Sequence, residues 1–321
     1  MQRRNFILSG LALPVLMAAQ TPRAVMAAQA PRALRVVLLR QALLQHNLTD
    51  AQWPGAQAFT TLFAGADAVF TDLETAIKGP HAEAPRRNDQ FLHAADAGVI
   101  DRLGTLGVNL FATSNNHAFD FGAGGIRDAV EALDTRGFGH AGTGLDLARA
   151  AAPGYVKTDA GTVALVAMAS GNVAAGGMAS SAHAGVNEVR RGPTNELDET
   201  DVGRYLAAIR AASGKADLVI AYQHNHYWEK NMADTPAWQR SLAHRAIEAG
   251  ASIFASHGAP LLQGIEIYKG KAIFYDLGGF FFPDRHQARD LRSRGLAKRG
   301  GGVSVHEGGF QSDLAHARAA Q

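Results

Sequence analysis

The segment Val108-Asn109-Leu110-Phe111-Ala112-Thr113-Ser114-Asn115-Asn116-His117-Ala118-Phe119-Asp120-Phe121-Gly122 decides how the fold is read. Residues 108–112 form a short apolar run of strand character. Before it, Val99, Ile100, Leu103 and Leu106 recur at helical spacing and Gly107 ends the helix; after it, residues 124–136 again have a helical period. The polar cluster Asn115, Asn116, His117 and Asp120 therefore falls directly after a strand and before a helix. Open α/β sheets place their ligands at that kind of position.

The same alternation extends outward in both directions. Strand-like runs occupy residues 35–39, 66–70, 162–168, 217–221 and 252–255, and helical periods occupy 201–212 and 236–249. Two late runs, 265–268 and 271–275, flank the turn Tyr268-Lys269-Gly270-Lys271 and predict a β-hairpin. The order predicts a layered α/β structure whose sheets are covered by helices. Beyond Pro283 the pattern fades into a stretch rich in Arg, Gly, Ala and His, so residues 284–321 read as a poorly ordered tail.

Composition narrows the possible functions. The chain has 321 residues, 47% apolar and 19% charged, enough for one large core, and the simplest division is a single domain over 31–283. A formal net charge of +2, partly carried by the two ends, gives no concentrated basic face and argues against nucleic acid. With zero cysteines there is no disulfide and no thiolate metal site, so any metal must bind through imidazole, carboxylate and amide groups.

Residues 1–30 begin with Arg3-Arg4 ahead of Phe6-Ile7-Leu8, continue as a short apolar run, and reach small residues around Val25-Met26-Ala27-Ala28. This reads as a cleavable export signal, too short for the about 20 apolar residues that span a bilayer. The arginine pair resembles a twin-arginine signal, whose pathway carries folded proteins; an ordinary secretory signal is the alternative. Either way the mature chain is expected in the periplasm or outside the cell.

Four strand ends deliver ligand-type side chains. Asp72 and Glu74 follow the run ending at Phe70; Asn115, Asn116 and His117 follow Ala112; His224 and His226 follow Ala221; His257 follows Ala255. The set suits one or two divalent cations of the Mn, Fe or Zn class, with Asp72, Glu74, Asn116, His224 and His257 as ligands and a metal-activated water as nucleophile. Each residue also has a structural reading, because a histidine after a strand is commonly a hydrogen-bonded structural group and Asn-Asn pairs serve turns. His226 ranks below His224, since period two puts both on one face only while the strand continues. Tyr227 and Trp228 read as wall or core residues, Glu229 as an acid at the rim, and His183 as a surface group.

The pieces Asp72-Leu73-Glu74, Asn115-Asn116-His117 with Asp120-Phe121-Gly122, and Leu277-Gly278-Gly279-Phe280 resemble, in order and spacing, motifs of the CapA or poly-γ-glutamate capsule-synthesis family. The resemblance implies a calcineurin-like metallophosphoesterase fold, a β-sandwich flanked by helices with a metal centre where the strands end. It favours Glu74, Asn116, His117 and His224 as ligands, with His117 acting alternatively as the acid beside the metal and Asp120 as its companion. Three departures stand out. Arg40-Gln41-Ala42-Leu43 lies where the family has Gly-Asp, so Gln41 is a neutral ligand and His46 a substitute only if its loop folds back. Ser256-His257-Gly258-Ala259-Pro260 replaces a His-Pro-His pattern, which puts the second metal position in question. The faded tail implies a sheet without its last strands.

The function implied is a metal-dependent hydrolase or transferase acting in synthesis of a capsule or poly-γ-glutamate-type polymer. Its partners would be an envelope polymer or small ester substrate, with membrane-bound polymer synthase subunits. Two alternatives remain open: a non-catalytic polymer- or synthase-binding protein with a degraded centre, and a metal-assisted epimerase at the α-carbon of an amino-acid residue.

Overall fold

A computed structural model describes residues 32–45, 55–87, 92–192, 194 and 196–281, and the backbone of strands Val303–His306 and Gly309–Gln311. Residues 1–30, read above as an export signal, and His46 lie outside the described residues.

Period two organises the core. Along strand Arg35–Leu38 and just beyond it, Val36 and Leu38 face one way and Val37 and Leu39 the other, and all four are buried. Strand Gly161–Ser170 behaves alike: Val163, Leu165 and Ala167 join one cluster, Ala164, Val166 and Met168 another. Strands with both faces apolar must be covered on both sides.

Two six-stranded sheets meet that demand. The first runs in the order Gly309–Gln311, Val303–His306, Arg35–Leu38, Ala68–Asp72, Leu110–Ala112, Gly139–Ala141, and its last four strands are parallel. The second runs Ile265–Tyr268, Lys271–Phe274, Ile253–His257, Leu218–Asn225, Gly161–Ser170, Gly154–Thr158, with parallel central strands and antiparallel edges. Facing residues such as Leu38, Phe70 and Leu110 from one sheet and Leu165, Tyr222 and Phe274 from the other fill the space between them. Helices Glu199–Ser213 and Ala237–Glu248 cover the outer face of the second sheet; Ala56–Phe63, Gly98–Thr105 and Gly122–Thr135 cover that of the first. The result is the expected α/β sandwich flanked by helices, in four layers.

The elements depart from the expected bounds for local reasons. Helix Glu199–Ser213 starts earlier than the apolar period because Asp198 caps it, accepting from the backbone N–H groups of Thr200 and Asp201. The late hairpin turns through Lys269 (φ 49°) and Gly270 (φ 74°), the two consecutive left-handed residues that match strand twist. Within the tail that reads as poorly ordered, Val303–His306 pairs antiparallel with Arg35–Leu38 and extends the first sheet. Among the described residues no helix is long and apolar enough to cross a membrane.

Two strands run further than expected. Leu218–Asn225 continues four residues past Ala221, and Ile253–His257 carries His257 within the strand. His224 and His257 are direct cross-strand partners in a parallel ladder, buried at its carboxyl end.

Candidate metal centre

Asp72 closes strand Ala68–Asp72 and is fully buried. One carboxylate oxygen accepts from Asn115 Nδ2 at 3.1 Å and the other lies 3.0 Å from His224 Nδ1. A carboxylate at Nδ1 fixes the proton there and leaves the Nε2 lone pair free to bind elsewhere. Asp72, expected among the ligands, thus has both oxygens engaged and serves to orient His224. Asn115 is likewise committed: its amide also donates to Leu73 O at 2.8 Å, and its oxygen accepts from the His117 backbone N–H at 3.1 Å. It braces the turn that presents Asn116 and His117.

His224 Nε2 points into a group of donors. Asn116 Oδ1 is 2.9 Å away, His226 Nε2 3.0 Å and Glu74 Oε1 3.7 Å. Ligand atoms of Glu74, His224 and His226 all lie within 4.8 Å of one another. His226 joins because the ladder does not stop where the sequence suggests: its backbone N–H still donates to Ser170 O at 2.7 Å, so His224 and His226 keep the same face. His257 lies on the neighbouring strand, its Nδ1 3.1 Å from the Tyr222 hydroxyl, which in turn is 3.4 Å from His224 Nδ1.

Burial sets the electrostatics. Desolvation, reinforced by Asp72 and then Asp276, pushes Glu74 well above the usual carboxylate range. Burial and the adjacent His224 push His226 down to about 2, and burial pushes His257 down to about 3. Both rings therefore stay neutral with lone pairs available at physiological pH. Glu74 Oε2, Gln41 Oε1 and His257 Nε2 are buried with no hydrogen-bond partner among the described residues. Neutral imidazoles, an amide oxygen and a carboxylate that resists lone ionisation fit a divalent cation.

His117 stands beside this group. Its Nδ1 is 2.7 Å from Asp120 Oδ2, and Asp120 Oδ1 is 2.6 Å from Arg87 Nε. Arg87 also donates to the carbonyls of Asn116 and Asn172. Burial lowers the His117 pKa, partly opposed by Asp120.

Four participants escape the sequence reading: Arg40, Arg87, Tyr222 and Asp276. Asp276 follows strand Lys271–Phe274 by two residues, so the strand-end rule that picks out Asp72 and Glu74 would also find it. Arg87 sits in an aperiodic loop, and only its partners reveal its place. Gln41, at the strand Gln41–Ala42, is buried near Gly279 through the pairing of that strand with Gly279–Phe281. Glu229 lines an open cleft with Lys230, Asp234 and Arg240, apart from the donor group.

The profile of the family described as bacterial capsule synthesis protein PGA_cap matches residues 25–284. PGA biosynthesis protein CapA of Bacillus subtilis is 27% identical, over 77% of this chain and 63% of that protein. A probable polyglutamine synthesis accessory protein of Mycobacterium tuberculosis is 30% identical, over 71% of this chain and 59% of that protein. The chain spans about two thirds or less of the length of the relatives it matches. Among solved structures, a 5'-nucleotidase precursor from Thermus thermophilus aligns with a TM-score of 0.41 and 14% identity, over 77% of this chain and 50% of that chain.

Proposed function

The chain belongs to the bacterial capsule synthesis protein family, within the calcineurin-like metallophosphoesterase superfamily, and from that premise we propose that it is a metal-dependent hydrolase or transferase of the cell envelope. The observation that carries this reading is the convergence of Glu74, His224 and His226, with Asn116 Oδ1 at 2.9 Å from His224 Nε2, at the carboxyl ends of parallel strands. These four side chains would hold a divalent cation of the Mn, Fe or Zn class. Such an ion supplies a Lewis acid and a water of lowered pKa.

The remaining work falls to the protein. Asp72 holds His224 in the tautomer that points Nε2 inward. Asp120 and Arg87 hold His117 with its Nδ1 proton toward Asp120, so its Nε2 lone pair can first take a proton and then pass it to a departing oxygen or nitrogen. Phe70 and Tyr222, both fully buried, pack against His257 and keep that wall dry. A negatively charged substrate would find Arg87 within electrostatic reach of Glu74, His117 and His226.

For substrate, the names of the relatives favour a poly-γ-glutamate-type or other envelope polymer, with a small ester as the simpler model, and membrane-bound synthase subunits as partners. Residues 1–30 would export the folded protein by the twin-arginine route. The experiment is a metal-replete assay of purified protein on bis-p-nitrophenyl phosphate and on poly-γ-glutamate, read as p-nitrophenolate release and as change in polymer length. Turnover that disappears in His224→Ala supports the reading; metal bound without turnover on either substrate sinks it. In that event Gln41 and the altered stretch 256–260, where the chain departs from its family's motifs, favour a polymer-binding role.

A further inference from the structure

The centre contains more buried charge than its donor group alone shows. Asp72, Glu74, Asp120 and Asp276 are all buried, and Asp276 acts electrostatically on Glu74. Two guanidiniums face them. Arg87 is bound to Asp120, and the charge of Arg40 acts on Asp276. Arg40 Nε donates to Leu277 O at 2.5 Å, and its positive charge acts on both Asp276 and His257. A Cβ on Gly278 would collide with an Arg40 terminal nitrogen, so a glycine at φ 71° leaves the room the guanidinium occupies. Asp276 itself is positioned by the N–H groups of Ala259 and Gly278, at 2.8 and 2.6 Å.

Asp276 thus takes a hydrogen bond from the Ala259 N–H and feels the charge of Arg40, next to the segment where Gln41 N–H donates to Gly278 O. Besides Glu74 Oε2, the unpartnered buried atoms of ligand type at the centre among the described residues include Gln41 Oε1 and His257 Nε2, both neutral. Two neutral donors beside a guanidinium do not compensate a second dication. With all four carboxylates ionised around a bound cation, the two guanidiniums leave two negative charges, the amount one divalent cation neutralises.

We propose that this protein holds a single divalent cation, at Glu74, Asn116, His224 and His226, and that the guanidinium of Arg40 occupies the place of a second. The proposal rests on the metal-dependent reading above and extends it to stoichiometry and to the residue that enforces it. It also assigns Arg40 the electrostatic duty of that second ion toward an anionic substrate group.

The test is the binding of Mn²⁺ to chelator-stripped full-length protein, followed by calorimetry and by elemental analysis after gel filtration. One equivalent is expected, with no second event in tenfold excess metal. The Arg40→Ala/Gln41→Asp double variant, which removes the guanidinium and adds a carboxylate, is expected to bind two. Independently of any variant, electron paramagnetic resonance of the Mn²⁺-loaded wild type should show the six-line signal of an isolated ion. A spin-coupled pair, or two equivalents in the wild type, overturns the proposal and leaves the metal-dependent reading standing. A folded double variant that still binds one overturns the role given to Arg40. No binding in the wild type overturns the proposal together with the reading beneath it.

Discussion

Replacing Arg87 with methionine tests the polar network behind His117 most directly. Asp120 is fully buried, with one oxygen on His117 Nδ1 and the other on Arg87 Nε. Arg87→Met keeps much of the side-chain volume but leaves Asp120 Oδ1 without its cation. Removing one partner of a buried pair costs about 3–5 kcal/mol, and because the Arg87 side chain is 18% exposed the lower end applies, about 3 kcal/mol. The lost donors to the Asn116 and Asn172 carbonyls add roughly 1 kcal/mol. For a chain of this size the total corresponds to a fall in Tm of about 8 °C. Asp120→Asn in the same chain removes the orphaned charge, so the Arg87→Met/Asp120→Asn variant should be more stable than Arg87→Met alone by about 2 kcal/mol. Urea unfolding followed by circular dichroism, on metal-free protein, measures all three. A single variant within about 1 kcal/mol of wild type, or a double variant no more stable than the single, would refute the view that Arg87 compensates a buried carboxylate.

Other outcomes follow from neighbouring contacts. Asp72→Asn removes the carboxylate that orients His224 and should weaken Mn²⁺ binding about 10–100-fold without changing the stoichiometry, as read by calorimetry. Gly258 has φ 134° and a Cβ there would collide with Asn225 O, so Gly258→Ala should destabilise by about 2 kcal/mol or more and reduce metal affinity, whereas Gly203→Ala, with open space around it, should do neither. For Asp201, burial raises the pKa, but hydrogen bonds from Arg190 and Arg204 outweigh it and leave the folded value lowered. Its contribution is therefore complete above the unfolded value of about 3.9 and is lost as pH falls through the folded value, so acid should destabilise the wild type below about pH 4 and Asp201→Asn less steeply. Thermal melts of both proteins across pH 3–6 would check the difference.

Much of the fold can be read from the chain because its central strands are apolar on both faces and its helices are separated by glycine or capped by aspartate. The helices of residues 98–105, 122–135, 199–213 and 237–248 and the strands flanking them lie where periodicity puts them, within a few residues. Short or polar-edged strands such as Gly139–Ala141 and Gly154–Thr158 carry too little pattern to be seen. The strand pair beyond residue 300 carries only the brief alternation Val303-Ser304-Val305-His306, and its pairing with Arg35–Leu38 is a long-range event that local sequence does not record.

The candidate ligands divide in the same way. Glu74, Asn116, His117, His224 and His257 are legible because a strand followed by polar residues marks one edge of an α/β sheet, a local property of the chain. Which of them meet is not. His226 joins Glu74 and His224 because the ladder with Ser170 continues well past the apolar run; Asp72 and Asn115 become supports because their polar atoms find partners first. Arg40, Arg87 and Asp276 enter through contacts across 237, 33 and 17 positions of the chain. The layers, the functional edge and the chemical types of the donors follow from hydrophobic period and residue identity, which act locally and are written in the order of residues. The division into ligands, braces and counter-charges belongs to the folded chain, because hydrogen-bond partners and buried charge balance depend on distances between segments that this order does not contain.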